Sequence, residues 1–227
     1  MSSHDLESLP TIGDRTFTAN APSSTFDALQ PGVLRTKYRG IPFYKSPLDI
    51  GLYINLLQKF EPKTVIEIGT KFGGSALWFA DLLTNYQIEN ARVVSIDIEP
   101  IAEVEDDRIL FMKGDAKHLD KVLTQELLGE LEHPFLVIED SSHYYPETYA
   151  VLEFFGKNAD PCDYVVVEDG IVSLLSNPAY RQFDGGPNRA VADFLTNNPG
   201  VYEIDTAQCD YYGYNMTYSL NGWLQRV

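Results

Sequence analysis

Cysteine, histidine and basic residues are all scarce in this chain, and each scarcity removes a class of function. The two cysteines, Cys162 and Cys209, stand far apart with no CxxC spacing. Neither a disulfide framework nor a cysteine-built zinc site is expected, and a reduced, cytoplasmic setting is the simpler reading. His4, His118, His133 and His143 are too scattered for a dedicated histidine metal site. Lysine and arginine number 17 against 33 aspartates and glutamates, a formal net charge of −16. A surface of that sign repels phosphate, so neither nucleic acid nor an anionic membrane is an expected partner. No run approaches the ~20 apolar residues that a membrane-spanning helix needs. The opening Met1-Ser2-Ser3-His4-Asp5 has neither a basic start nor an apolar stretch, so no secretion signal is expected.

What is present is an ordinary globular composition, 44% hydrophobic and 22% charged, on 227 residues. That length supports one α/β domain with a substantial core and leaves little for a second. Residues 1–35, rich in Ser, Thr, Pro and Asn, read as an N-terminal arm or lid with a short helix at residues 25–29. Ser46-Pro47-Leu48-Asp49 has a serine cap, a first-turn proline and an acid, and opens a helix that Pro62 stops. Beyond it, short apolar runs at residues 65–68, 92–97, 109–113, 135–139 and 163–168 alternate with helices within 74–84, 119–131, 146–158 and 188–197. That alternation predicts a parallel sheet covered on both faces. Two last strands, at residues 201–206 and 217–226, are expected to pair antiparallel at the sheet edge. Right-handed crossovers put the carboxyl ends of the parallel strands on one rim, where ligands bind.

Val65-Ile66-Glu67-Ile68-Gly69-Thr70-Lys71-Phe72-Gly73-Gly74-Ser75 is the most informative stretch. A strand runs through a glycine turn into a helix and leaves backbone N–H groups bare at the helix start. The glycine spacing does not give G-x-G-x-x-G. A pyrophosphate would be repelled by Glu67, whereas the cationic methionine part of S-adenosylmethionine would be attracted. Asp97 ends the next strand and can accept both ribose hydroxyls. The pattern E-x-G-x-x-x-G-G resembles the first motif of class I S-adenosylmethionine-dependent methyltransferases. This resemblance implies a Rossmann-like fold with a seven-stranded, mostly parallel sheet, helices on both faces and an antiparallel edge hairpin. Glu67, Gly69, Thr70, Gly73 and Ser75 are then candidates for the methionine part, Asp97 for the ribose, and Asp115 and Ala116 for the adenine edge, with Asp140 also near the cofactor.

The rim carries Glu67, Asp97, Asp115, Asp140, Glu168 and Asp169. Adjacent parallel strands bring Asp140 toward Glu168 and Asp169, where three carboxylates repel unless a cation stands among them. Any one of these acids is as consistent with capping the following helix. Together, and with His143 three residues after Asp140, they point to a hard divalent ion, Mg²⁺ above others. Strand alternation turns Glu139 away from Asp140. His143 is either a polar loop residue or a proton acceptor, since imidazole titrates near pH ~6.5 in the ordinary case.

Tyr38-Arg39-Gly40-Ile41-Pro42, Lys45-Ser46-Pro47-Leu48-Asp49, Glu67-Ile68-Gly69, Gly73-Gly74-Ser75, Asp140-Ser141-Ser142-His143 and Glu168-Asp169 together resemble the cephalosporin hydroxylase (CmcI-like) and rhamnosyl O-methyltransferase family. The likeness runs from about residue 35 to the end. It implies a methyltransferase domain over residues 36–227, metal ligation by Asp140, Glu168 and Asp169, a general base at His143, and sugar O-methylation as one family activity. The expected reaction is Mg²⁺-dependent methylation of a hydroxyl on a small acceptor of sugar, polyketide or catechol type. Tyr144, Tyr145, Tyr212, Tyr214, the arm and residues 174–187 are candidate acceptor walls. A tyrosine-rich loop serves equally as an oligomer contact, so a homo-oligomer is expected. Asp184-Gly185-Gly186-Pro187-Asn188 reads as the opening of a helix rather than a hinge. The competing readings are a tailoring hydroxylase, which lacks a two-histidine, one-carboxylate iron set, and a non-catalytic cofactor-fold scaffold.

Overall fold

In the computed structural model of the protein, which describes residues 10–99 and 104–227, the apolar runs become a seven-stranded sheet. The segment read for a secretion signal, with His4 in it, lies outside the described residues. The strands are β1 (Thr64–Ile68), β2 (Arg92–Asp97), β3 (Ile109–Lys113), β4 (Phe135–Glu139), β5 (Tyr164–Val167), β6 (Tyr202–Ile204) and β7 (Trp223–Arg226). Their order across the sheet is β6-β7-β5-β4-β1-β2-β3. β1 to β5 are parallel, and β7 runs antiparallel between β5 and β6. This is the Rossmann-like layout with an antiparallel edge that the sequence predicts.

The central strands are buried along their whole length, which is why they read as continuous Val/Ile/Leu runs. Successive residues feed two separate cores. Ile66, Ile68, Val94, Ile96, Val137 and Val165 pack on one face; Val65, Val93, Leu136, Ile138 and Val166 pack on the other. Helices α1 (Ser23–Val33), α4 (Gln125–Glu130), α5 (Tyr145–Asn158) and α6 (Gly186–Asn197) cover the first face. Helices α2 (Pro47–Phe60) and α3 (Gly74–Asn85) cover the second; α7 (Thr206–Cys209) is a single turn. Ser46 caps α2 by accepting from the Asp49 N–H at 3.0 Å, as its sequence predicts.

Three segments differ from the sequence reading. The helix expected within residues 119–131 is a 3₁₀ turn (Ala116–Lys121) followed by α4, because Thr124 caps a new helix by accepting from the Leu127 N–H. The last strand begins at Trp223 rather than residue 217; Asn221 takes a left-handed φ of 50°, which breaks the extended run. The helix read at residues 25–29 extends over Ser23–Val33. Phe17, Phe26 and Val33 are buried in the main core, so this part of the arm is anchored to the domain. Arg15 adds a fork onto Asp210 at 2.8 and 2.9 Å.

Backbone hydrogen bonds level the strand ends. Asp140 N donates to Ile68 O at 2.8 Å, Glu168 N to Glu139 O at 2.9 Å and Gly69 N to Ile96 O at 2.7 Å. The acidic residues that end β2 and follow β4 and β5 therefore meet on one rim. No helix among the described residues is long and apolar enough to cross a membrane.

Candidate active site

Two adjoining cavities open on that rim. The larger, about 330 Å³, is lined by Gly69, Ser75, Asp97, Asp140, His143 and Asp169 among others. The smaller, about 190 Å³, shares Gly69 and Asp97 and is closed by Asp115, Ala116, Ser142 and Glu147. Gly69 stands between them with φ +112°, and a Cβ there would lie 2.0 Å from the Asp140 carbonyl oxygen. No side chain fits at this crossing of β1 and β4, so the glycine is required by the close approach.

The turn is built from beneath. Glu67 is fully buried; its Oε2 accepts from Ser95 Oγ at 2.6 Å while Oε1 has no partner among the described residues. Burial pushes the Glu67 carboxyl up, against the pull of Lys45. The Thr70 side chain also turns inward, to Ser95 Oγ at 2.7 Å, so only the rest of this residue faces the cavity. Asp97 accepts from the backbone N–H groups of Lys71 (2.8 Å) and Glu99 (2.9 Å), ordering the turn that its carboxylate borders. Asp115 accepts from the Lys117 N–H at 2.9 Å.

At the acidic end, Asp140, His143 and Asp169 bring one ligand atom each within 4.8 Å of one another. Among the described residues this is the only group of three His, Cys, Asp or Glu side chains so close. His143 Nε2 lies 3.4 Å from Asp169 Oδ2. Both residues hold left-handed backbone, φ +62° and +55°, a conformation that non-glycine residues adopt uncommonly. Helix α6 locks the His143 loop: a Cβ on Gly186 would lie 2.2 Å from the His143 carbonyl oxygen. Glycine at 186 thus opens a helix against this loop, as its sequence predicts.

Glu168 does not join that group. Its Oε2 accepts from Lys45 Nζ at 2.6 Å and its Oε1 accepts from the Tyr53 hydroxyl. Lys45 Nζ donates as well to Asp140 Oδ2 at 2.7 Å, so a buried ammonium bridges two of the three carboxylates assigned from sequence to a metal. Burial opposes the charge on Lys45, but Asp140 and Glu168 hold its pKa above the ordinary value. Burial holds the Glu168 carboxyl well above the usual carboxylate range, with Lys45 pulling it down. Lys45 was legible only as part of a motif, because both its partners come from other strands.

The sequence profile described as Rhamnosyl O-methyltransferase/CmcI matches residues 32–227. The chain belongs to the rhamnosyl O-methyltransferase/CmcI family. The rhamnosyl O-methyltransferase of Mycobacterium leprae is 30% identical over 195 residues, covering 84% of this chain and 83% of the relative. That of Mycobacterium tuberculosis is 29% identical over 200 residues, covering 85% and 78%. A solved structure of CmcI with Mg and SAM covers 96% of this chain and 89% of its own, with a TM-score of 0.67 at 22% identity. These findings make the chain an S-adenosylmethionine-dependent O-methyltransferase by class, and the hydroxylase and scaffold readings fall behind it.

The tyrosines expected as acceptor walls stand elsewhere in this member of the rhamnosyl O-methyltransferase/CmcI family. Tyr144 is exposed and packs on Phe183, and Tyr145 stacks on Tyr149 under Arg189. The Tyr214 hydroxyl donates to the Thr16 carbonyl and receives the Thr16 N–H, pinning the short antiparallel pair of Thr11–Ile12 with Arg15–Thr16. Tyr212 reaches over Gly51 and, with Tyr211, is exposed. The cavity walls are instead Gln30, Tyr44, Phe72, Tyr180, Phe183 and Tyr218. Of these, Tyr180 and Phe183 fall in the 174–187 stretch and Gln30 in the arm, both read from sequence as walls. Tyr44, Phe72 and Tyr218 carried no sequence signal of their own.

Glu139 supplies a stability prediction. It is buried, receives hydrogen bonds from Ser141 Oγ and Thr148 Oγ1, and burial pushes its carboxyl from 4.5 up to about 7. The folded pKa lies above the unfolded one, so this residue favours the folded state below pH ~4.5, and the contribution is lost as pH rises through about 7. The shift corresponds to roughly 3 kcal/mol. Glu139→Gln is therefore expected to flatten the fall in thermal midpoint between about pH 5 and 7, measured by calorimetry. An unaltered slope in the variant would assign the pH dependence to other groups.

Proposed function

We propose that the chain methylates a hydroxyl of a sugar-bearing acceptor, of rhamnosyl type, with Mg²⁺ held by Asp140 and Asp169 and with His143 as general base. The observation that carries this reading is the Asp140–His143–Asp169 group, within 4.8 Å, facing the same cavity as the Gly69 turn. The carboxylates of Asp140 and Asp169 suit a hard, oxygen-preferring divalent ion, and His143 stands beside them as a proton acceptor. Glu168 comes to a cation at Asp140 only by giving up Lys45. The smaller cavity fits an adenosyl group: Ser142 Oγ and Glu147 Oε2, on its wall, are buried and have no partner among the described residues. The curated relatives named as rhamnosyl O-methyltransferases support the acceptor class.

When bound, S-adenosylmethionine supplies an electrophilic methyl group and Mg²⁺ the positive charge that acidifies a hydroxyl beside it. The protein's residues do the rest. Asp97 accepts from the ribose hydroxyls, and Asp115 with Ala116 borders the adenine edge. His143 Nε2 takes the proton of the acceptor hydroxyl, and Asp169, 3.4 Å away, stabilises the resulting imidazolium. Tyr44, Phe72 and Phe183 exclude water and hold the acceptor in line, an alignment worth up to ~7–11 kcal/mol in favourable cases.

The test is methyl transfer from labelled S-adenosylmethionine to a panel of rhamnosides, glucosides and catechols, with and without EDTA. Label is expected in the rhamnoside, lost with EDTA and restored by Mg²⁺. Label in catechols but in no glycoside overturns the acceptor class, and full turnover in excess EDTA overturns the metal's role.

A further inference from the structure

Seven buried side-chain polar atoms have no hydrogen-bond partner among the described residues. Two of them, Gln30 Oε1 and Tyr218 Oη, belong to residues that line the larger cavity. A buried donor or acceptor left unpaired is costly, and such groups in a binding cavity mark where a ligand supplies the missing bond. We infer that Gln30 and Tyr218 form a hydroxyl-recognition subsite that reads acceptor hydroxyls other than the one methylated. The inference rests on the glycosyl-acceptor reading above and assigns the residues that would select that class.

Both side chains are held in advance. Gln30 Nε2 donates to the Tyr180 hydroxyl at 3.0 Å, which leaves Oε1 as the free acceptor. The Tyr218 ring packs edge-on to Phe26, and its backbone N–H donates to the Asp49 carboxylate at 3.1 Å. Burial, with Asp49 and Asp169 nearby, pushes the Tyr218 phenol up, so its proton stays on and the hydroxyl can donate. One free acceptor and one free donor match the hydroxyls of a polyol, which both donate and accept. A catechol spends its two adjacent hydroxyls at the Asp140–Asp169 end and offers nothing to this pair, whereas a hexose ring carries further hydroxyls. Sites built to bond a hydroxyl reject analogues that lack it far more strongly than apolar pockets reject a missing methylene. Gln30 also precedes the family-matched stretch, residues 32–227. Half of the subsite therefore comes from the N-terminal segment.

The probe is p-nitrophenyl α-L-rhamnopyranoside, with its monodeoxy analogues at the hydroxyls not methylated. Tyr218→Phe and Gln30→Met are each expected to raise KM for the rhamnoside by about 5–10-fold, the loss of one hydrogen bond. S-adenosylhomocysteine affinity and the thermal midpoint should stay at wild-type values. Wild type should discriminate against one deoxy analogue, and Tyr218→Phe should lose that discrimination, since the cycle removes the same bond twice. If Gln30→Met fails to fold, Tyr218→Phe with the deoxy series decides alone. Wild-type KM in the variants, or unchanged discrimination in Tyr218→Phe, overturns the subsite while leaving glycoside methylation standing. Failure of wild type to methylate any glycoside overturns the acceptor reading, and the subsite with it.

Discussion

Replacing His143 by alanine is expected to lower kcat by about 10²–10⁴-fold, the usual contribution of a positioned general base. The residue borders the cavity three positions after Asp140, and its left-handed backbone aims the imidazole at Asp169. S-adenosylhomocysteine affinity should be unchanged, because the His143 imidazole faces Asp169 and packs edge-on to Phe183. Mg²⁺ affinity, measured by calorimetry, separates two roles that the close Asp140–His143–Asp169 grouping brings together. Loss of kcat with Mg²⁺ affinity retained assigns His143 to proton transfer. Loss of both assigns it to the ligand set, and wild-type kcat removes it from the reaction.

The second large effect is expected at Asp140. Asp140→Asn keeps the shape of the side chain and a partner for Lys45 Nζ, yet removes the charge a divalent ion needs. Turnover should fall by at least about 10²–10³-fold, the scale on which groups that stabilise developing negative charge act. Mg²⁺ titration should show weakened binding, while S-adenosylhomocysteine affinity stays close to wild type. Asn is preferred to Ala because Lys45 is buried, and stripping a partner from a buried charge costs ~3–5 kcal/mol in stability. Near-normal turnover together with near-normal Mg²⁺ binding in Asp140→Asn would return Asp140 to the role of Lys45's partner. The bridging lysine sharpens this test, since in the structure it already pairs with both Asp140 and Glu168, at 2.7 and 2.6 Å.

Much of the fold was legible because local rules and global packing agree. Buried parallel strands must be apolar throughout, so β1, β4 and β5 announce themselves as Val/Ile/Leu runs. Ser46, Pro47 and Asp49 start a helix by chemistry that needs no tertiary partner. The strand ends were legible for the same reason, since period and crossover handedness set the rim on which Asp97, Asp140 and Asp169 meet. Lys45 and Tyr53 illustrate what was not. Each meets Glu168 across more than a hundred residues of chain, and no periodicity encodes such a meeting.

Backbone sterics and two-residue alternation act locally, so the doubly wound sheet, the glycine turn at Gly69 and the collection of acids on one rim follow from the order of residues alone. How those acids are shared depends on packing between distant segments. Asp140 and Asp169 meet His143, while Glu168 is taken by Lys45 and Tyr53. The same packing decides which aromatics wall the cavity: Tyr214 anchors Thr16 and Tyr212 covers Gly51, leaving Tyr44, Tyr180 and Tyr218 at the site. Composition places a tyrosine in a loop; the direction of its ring depends on what packs behind it.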